Sequence, residues 1–220
     1  MKIERKHIVL AALFLLPLVV YMFFASGVNN FAKLDIISTN VLNTKVYKAI
    51  NSDSTVNFEN KITVLSIFGE DVDTKKAYAF NLKEKIYDRF KDFSDLQFVS
   101  LVSPLQNAAI QDFEEAVNYT SSTDKWMFVE LSKDEINTLF KTLQTNIDLD
   151  KYASTTHVFI IDKDLNLRGR AKDDDGSVRY GYDMSSVADL SKEMIDDVKV
   201  ILAEYRLALK KYNRNNTTKN

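Results

Sequence analysis

The chain has 220 residues, with 29 basic and 31 acidic side chains and a formal charge of -2. That is room for one compact domain with appendages, and a near-neutral balance gives no reason to expect a nucleic-acid partner. There is no cysteine, which excludes disulfides, thiolate nucleophiles and thiolate metal ligands, and the two histidines, His7 and His157, leave little for a zinc site or a catalytic triad; neither an enzyme nor a bound cofactor is expected.

Lys2, Arg5 and Lys6 precede residues 8–26, IVLAALFLLPLVVYMFFAS, an uncharged apolar run of the length that crosses a bilayer as a helix, roughly 20 residues. Pro17 is tolerable there as a kink. Ala25, Ser26 and Gly27 offer the small residues of a signal-peptide cleavage site, but the run exceeds the roughly 7 to 15 residues of a typical signal core, which favours an uncleaved anchor. The basic flank favours a cytoplasmic N-terminus, so the expectation is a single-pass protein of the inner membrane with its C-terminal domain outside the cytoplasm. Residues 1–27 are then a stub and anchor. Residues 28–60, rich in Asn, Ser and Thr, read as a spacer with short edge strands.

Residues 61–212 carry the domain. Ile62, Val64, Leu65, Ile67 and Phe68 form a β-branched run without helical period, bounded by Gly69, which predicts a strand covered on both faces. Tyr78, Leu82, Ile86, Phe90 and Phe93 then recur at three- and four-residue spacing, the stripe of a helix. A second buried strand follows over 96–103 and ends at Pro104; strand, helix and strand in series imply a right-handed crossover and a parallel pair. Ile110, Phe113 and Val117 mark another helix, and 126–131 a third strand. A helix is predicted over 133–147, with Ser132 as its N-cap and Glu135 completing a capping box. Residues 157–162 and 167–171 flank a short polar connection and read as a β-hairpin. A long helix from about 186 to 212 closes the domain, and 213–220 reads as a disordered polar tail. The order implies an α/β fold with a mixed sheet flanked by helices.

Several stretches together resemble the SCO/SenC family, membrane-anchored proteins of thioredoxin-like fold. Residues 61–68 are similar to that family's first core strand, 96–103 to its "QFVSxxVDP"-like strand, Lys125-Trp126-Met127-Phe128 to its "KWxFLTG" segment, and 157–169 to its "FFLIDxxGxIRG" hairpin. The resemblance implies a thioredoxin-like fold, and a setting in copper delivery and cytochrome oxidase assembly. It also implies where a metal would sit: the family's Cys-x-x-x-Cys turn and distant histidine fall at Asp71, Lys75 and Ser154. A carboxylate, an ammonium and a hydroxyl do not replace the soft ligands that Cu(I) selects, so neither the metal site nor the redox chemistry is carried over.

What remains is a binding or assembly module with protein partners. The alternative is a metal-handling protein with another ligand set, His157 plus carboxylates. Glu70, Asp71 and Asp73 could hold a hard cation, though helix capping by Asp71 or Asp73 is the simpler account. Asp162, Asp164 and Asn166 imitate a calcium loop but lack its glycine, and the acidic run at 173–175 suits a solvated loop. His157, in an apolar strand, suits a hydrogen-bonded structural role. The candidate partner surface is Glu70, Asp71, Asp73, Lys75 and Lys76 beside Tyr152, a mixed-charge face with an aromatic.

Overall fold

The structure, a computed structural model, describes residues 5–26, 33–41, 46–118 and 122–217, in two units, Met1–Ala32 and Lys33–Asn220. In the first unit α1 (Arg5–Ser26) is a helix of 22 residues that contains Pro17. Leu13, Phe14, Leu15, Leu16 and Leu18 are all exposed within it, and neighbouring positions on a helix point in different directions, so this stretch has no polar face. Among the described residues no helix is long and apolar enough to cross a membrane. The stretch 8–26, expected to span a membrane, is helical in backbone.

The second unit is built on β4 (Ile62–Gly69) and β5 (Leu96–Val102), both buried along their whole length, as near-continuous apolar strands are when both faces are covered. They pair in parallel, and β5 pairs in parallel with β6 (Trp126–Glu130). On the other side of β4 runs β7 (His157–Ile161), antiparallel, followed by β8 (Leu167–Gly169) and β1 (Asp35–Ser38). The order is β1-β8-β7-β4-β5-β6, with β9 (Tyr182–Asp183) paired to the start of β7. This is the mixed α/β sheet that the element order implied.

Successive side chains of a strand face opposite sides, and the two faces feed two cores. Val64 and Phe68 of β4, Phe98 of β5 and Phe128 of β6 pack under α2 (Val72–Leu82), α4 (Asn107–Asn118) and α6 (Ile195–Thr217). Leu65 and Ile67, Val99 and Leu101, and Phe159 pack under α5 (Lys133–Thr142). The second core also takes Val41, Tyr47, Ala49, Val56 and Phe58, so the segment expected to be a spacer is structural from Lys33 onward. Its apolar residues come in ones and twos among polar ones, runs too short to show a periodicity. Within it β2 (Tyr47–Lys48) and β3 (Thr55–Val56) form a separate pair. The Ile50 N–H bonds to the Phe128 carbonyl, and the Asn51 side chain takes both the Phe128 N–H and the Trp126 carbonyl, covering the edge of β6.

The helices depart from the predicted bounds for local reasons. α2 continues through a π-helical turn (Lys83–Tyr87) into α3 (Asp88–Phe90); the wider turn shifts the phase, so Lys83 and Tyr87 join Leu82, Ile86 and Phe90 in burial, while Phe93 lies past the end and is exposed. The capping box at Ser132 and Glu135 is present, but α5 stops at Thr142 rather than at 147, because Gln144 turns left-handed with φ of 52°. The last helix begins with a π-helical turn (Asp189–Met194) and continues as α6 to Thr217, so 213–217 of the expected disordered tail is helical; 218–220 lie outside the described residues.

Candidate functional site

The C-terminal ends of β4 and β5 and the approach to β7 meet at one end of the sheet. Gly69 closes β4 with φ of +52°, and a side chain there would place its Cβ 2.1 Å from the Tyr152 carbonyl oxygen, so only glycine allows this approach. The Glu70 N–H then donates to that carbonyl at 2.9 Å, the Thr155 N–H donates to the Ile67 carbonyl at 3.0 Å, and the Ser103 N–H donates to the Gly69 carbonyl at 2.8 Å. The turn 69–76 and the segment 152–156 are thereby held side by side. The hydroxyl of Ser103 is buried there without a hydrogen-bond partner, alone in this among the described residues.

The three positions at which the resemblance places metal ligands come together in this end of the fold. The Lys75 ammonium lies 3.7 Å from a carboxylate oxygen of Asp71 and 3.7 Å from one of Asp150. Asp150 in turn accepts the Ser154 hydroxyl at 2.8 Å and the N–H groups of Ser154 and Tyr152. Asp71, Lys75 and Ser154 are thus linked through Asp150 into one polar cluster, with Ser154 fully buried and Lys75 only 8% exposed. Partial burial pushes the Asp150 carboxyl up, but the hydrogen bonds from Ser154 and Tyr152 and the charge of Lys75 outweigh it and hold the group below its ordinary value. An ammonium has no lone pair, and a hydroxyl and two carboxylates are hard oxygen donors, so the cluster offers none of the ligands that a soft metal selects.

Lys75 is therefore not part of an exposed charged face, and Asp71, which occupies the N-cap position of α2, makes no side-chain cap bond; it accepts the Thr74 hydroxyl instead. What does lie on the surface is Glu70, paired with Lys133 at 3.2 Å, Asp73 paired with Lys76 at 2.7 Å, and Tyr152 under the Lys151 ammonium. Leu105, in the loop after β5, joins this end of the sheet; it is 94% exposed and has φ of 71°, an uncommon backbone state for a side chain of that size. Sequence reasoning missed Asp150, Lys133 and Leu105. A following leucine after Pro104, in a position that turns often give to glycine, was the one local signal for the last of these.

His157 borders a shallow groove of about 380 Å³ lined by Lys75, Asp150 and Ser154–His157. Its Nδ1 lies 3.5 Å from the Thr155 hydroxyl, and no group of three His, Asp or Glu that could hold a metal occurs among the described residues. Asp162 is a hairpin anchor: buried, it accepts the N–H groups of Asp164 and Asn166 and the Arg168 guanidinium at 3.0 Å. Of the acidic run, Asp173 is drawn into ion pairs with Arg170 and Arg179.

No family model matches the sequence, and no curated protein matches it. Among solved structures, a candidate electron transfer protein from Aquifex aeolicus VF5 superposes with a TM-score of 0.50 at 12% identity, over 74% of this chain and 98% of that one. The fold is thioredoxin-like. The chain is also similar, at lower TM-scores, to BsSco, a member of the Sco family of cytochrome c oxidase assembly proteins (0.45, 13% identity, 74% of this chain and 98% of that one). ScoI of Bradyrhizobium japonicum, solved with copper bound, gives 0.41 at 11% identity, over 73% of this chain and 99% of that one. At such identities the likeness concerns the fold alone.

Proposed function

We propose that this protein is a membrane-anchored, thioredoxin-like binding module whose domain lies outside the cytoplasm and which assists assembly of a membrane protein complex without thiol or copper chemistry. The observation that carries it is the cluster of Asp71, Lys75, Asp150 and Ser154 at the end of β4, an ion-pair and hydrogen-bond network of an ammonium and hard oxygen groups with no soft ligand in it. Around it the surface offers paired charges, Glu70 with Lys133 and Asp73 with Lys76, beside exposed Tyr152 and Leu105, a combination suited to recognising a protein. The anchor rests on the apolar run 8–26 and its basic flank, and the helical backbone over Arg5–Ser26 supports it. The respiratory oxidase as the complex being assembled comes from the local sequence resemblances at 61–68, 96–103, 125–128 and 157–169.

The test is co-purification of the full chain with its native membrane partners, comparing the unaltered protein with a Glu70→Lys/Tyr152→Ala variant. The expected result is loss of most of the recovered partner at an unchanged melting temperature. Equal recovery moves the binding surface elsewhere, and stoichiometric submicromolar Cu(I) binding by the unaltered protein overturns the reading in favour of metal handling.

A further inference from the structure

A second pocket opens at the other end of the sheet from the site at Gly69. It lies where β4 and β5 begin, and the eight residues of β4 put the two sites about 25 Å apart. Ile62, Phe93, Leu202 and Tyr205 form its walls around about 230 Å³, and Ser94, Asp95 and Arg206 complete the lining. Ile62 and Leu202 are buried, while Phe93 keeps 41% of its surface exposed, so apolar walls reach from the core to the solvent. The charge around them is positive. Lys61 donates to the Ser94 carbonyl at 2.9 Å and Lys125 to the Phe93 carbonyl at 3.1 Å; a carbonyl satisfies an ammonium without neutralising it. Arg206 is exposed and makes no ion pair among the described residues. Of the acids, Asp95 is paired with Lys163 at 2.6 Å, and Asp164 accepts the Tyr205 hydroxyl at 3.4 Å. Asp92 and Asp124 lie near the Tyr87 hydroxyl, and neither lines the pocket.

We propose that this pocket captures the C-terminal residue of a partner polypeptide that ends in a large apolar side chain. The side chain enters between Phe93, Leu202 and Tyr205, and the terminal carboxylate meets Arg206, with the charges of Lys61 and Lys125 close by. Size sets the apolar part. A cavity of about 150 Å³ takes a benzene ring, so 230 Å³ takes a phenylalanine or leucine side chain with its carboxylate, and it lies below the roughly 300 Å³ at which sites for larger ligands begin. Charge sets the acidic part, because a guanidinium with no acid of its own can hold a carboxylate through two charge-assisted hydrogen bonds. The open side favours a chain end over a free acid: sites for small molecules enclose most of the ligand, whereas a polypeptide that ends here can leave across the exposed side of Phe93. The proposal needs neither the cluster at Asp71 nor a membrane anchor, so it stands apart from the reading above.

The test titrates the full chain, in phosphatidylcholine nanodiscs, against a short fluorescein-labelled peptide of glycine and serine that ends in phenylalanine with a free carboxylate; binding is read by anisotropy. Saturable binding is expected, weakened about tenfold or more when the terminus is amidated or the phenylalanine is replaced by glycine. Arg206→Gln is expected to weaken the free-carboxylate peptide about tenfold and to leave the amidated one unchanged. Ser94→Trp, at an exposed position of the lining, is expected to fill the mouth and abolish binding at an unchanged melting temperature. The Glu70→Lys/Tyr152→Ala variant, altered at the far end of the sheet, should bind the peptide as the unaltered chain does. No saturable binding, equal binding of the amide, or indifference to Arg206→Gln overturns the proposal. Competition by 3-phenylpropionate as strong as that of the unlabelled peptide overturns it in favour of a free acid. Loss of binding in Glu70→Lys/Tyr152→Ala overturns it by moving the peptide to the end of β4. The first of these failures leaves the reading at Asp71 and Asp150 standing, because partner recovery with Glu70→Lys/Tyr152→Ala tests that reading by itself.

Discussion

Single residues at the end of β4 and β5 decide what this fold can do. Lys75 is buried between two carboxylates, so its charge positions Asp71 and Asp150 and is not offered to a partner. Leu105 is the opposite case, a large apolar side chain 94% exposed on a left-handed backbone with φ of 71°. Left-handed backbone costs an L-residue roughly 1–2 kcal/mol, and the extra chain entropy of glycine costs roughly 0.5–1 kcal/mol. Since Leu105 buries almost nothing, relief of strain wins, and Leu105→Gly is expected to raise the unfolding free energy by about 0.5–1 kcal/mol in urea titrations. A loss of stability would mean that Leu105 makes contacts in the fold. If the leucine belongs to the partner surface, the same variant gains stability while losing partner recovery.

At the scale of elements, the C-terminal helix is held to the sheet by charges that its sequence pattern does not announce. Asp197 is buried and accepts both the Nε and the Nη2 of Arg170, at 2.9 and 3.0 Å, together with the Tyr182 hydroxyl at 2.7 Å. Burial, together with the Asp197 charge, pushes the Tyr182 phenol well above its usual value. Three segments, the strand end at Arg170, β9 and α6, thus converge on one carboxylate. Asp197→Asn keeps the size but removes one of three carboxylates around Arg170, with Asp173 and Glu193 remaining, so the loss is that of charge-assisted hydrogen bonds, about 2 kcal/mol. The loss should appear as a lower urea midpoint with an unchanged denaturant slope. A midpoint within error of the unaltered protein would show that the pair contributes no net stability.

For the whole molecule, the carboxylates set the response to acid. Asp95 is held below its ordinary value by its hydrogen bond from Lys163. In Asp173 and Asp150 burial raises the pKa, but hydrogen bonds and basic neighbours outweigh it and the net direction is down. A carboxyl whose folded pKa is depressed stabilises the fold above its unfolded value of about 4, and that stability is lost as the pH falls through the folded value. Asp173, whose side chain is 10% exposed, contributes most, since Asp95 and Asp150 are screened by solvent. The melting temperature is expected to be level near neutrality and to fall below about pH 4. A flat profile down to pH 3 would show that these pairs do not stabilise the fold.

The sequence by itself determined what local pattern can carry: the two buried parallel strands, the helices between them, the capping box at Ser132, the hairpin turn, the apolar run 8–26 and the lack of any thiol. Each depends on residues within one turn or one strand of each other, so periodicity and capping chemistry expose them. Tertiary structure alone decided that residues from Lys33 onward help build a core, that β9 pairs with β7, and that π-helical turns shift the buried faces at Lys83 and Leu190. It also decided that Lys75 is buried, because the partner that makes its burial tolerable, Asp150, comes from a loop far along the chain. The cost of burying a charge is set by what surrounds it in space, and spacing along the sequence carries no record of that.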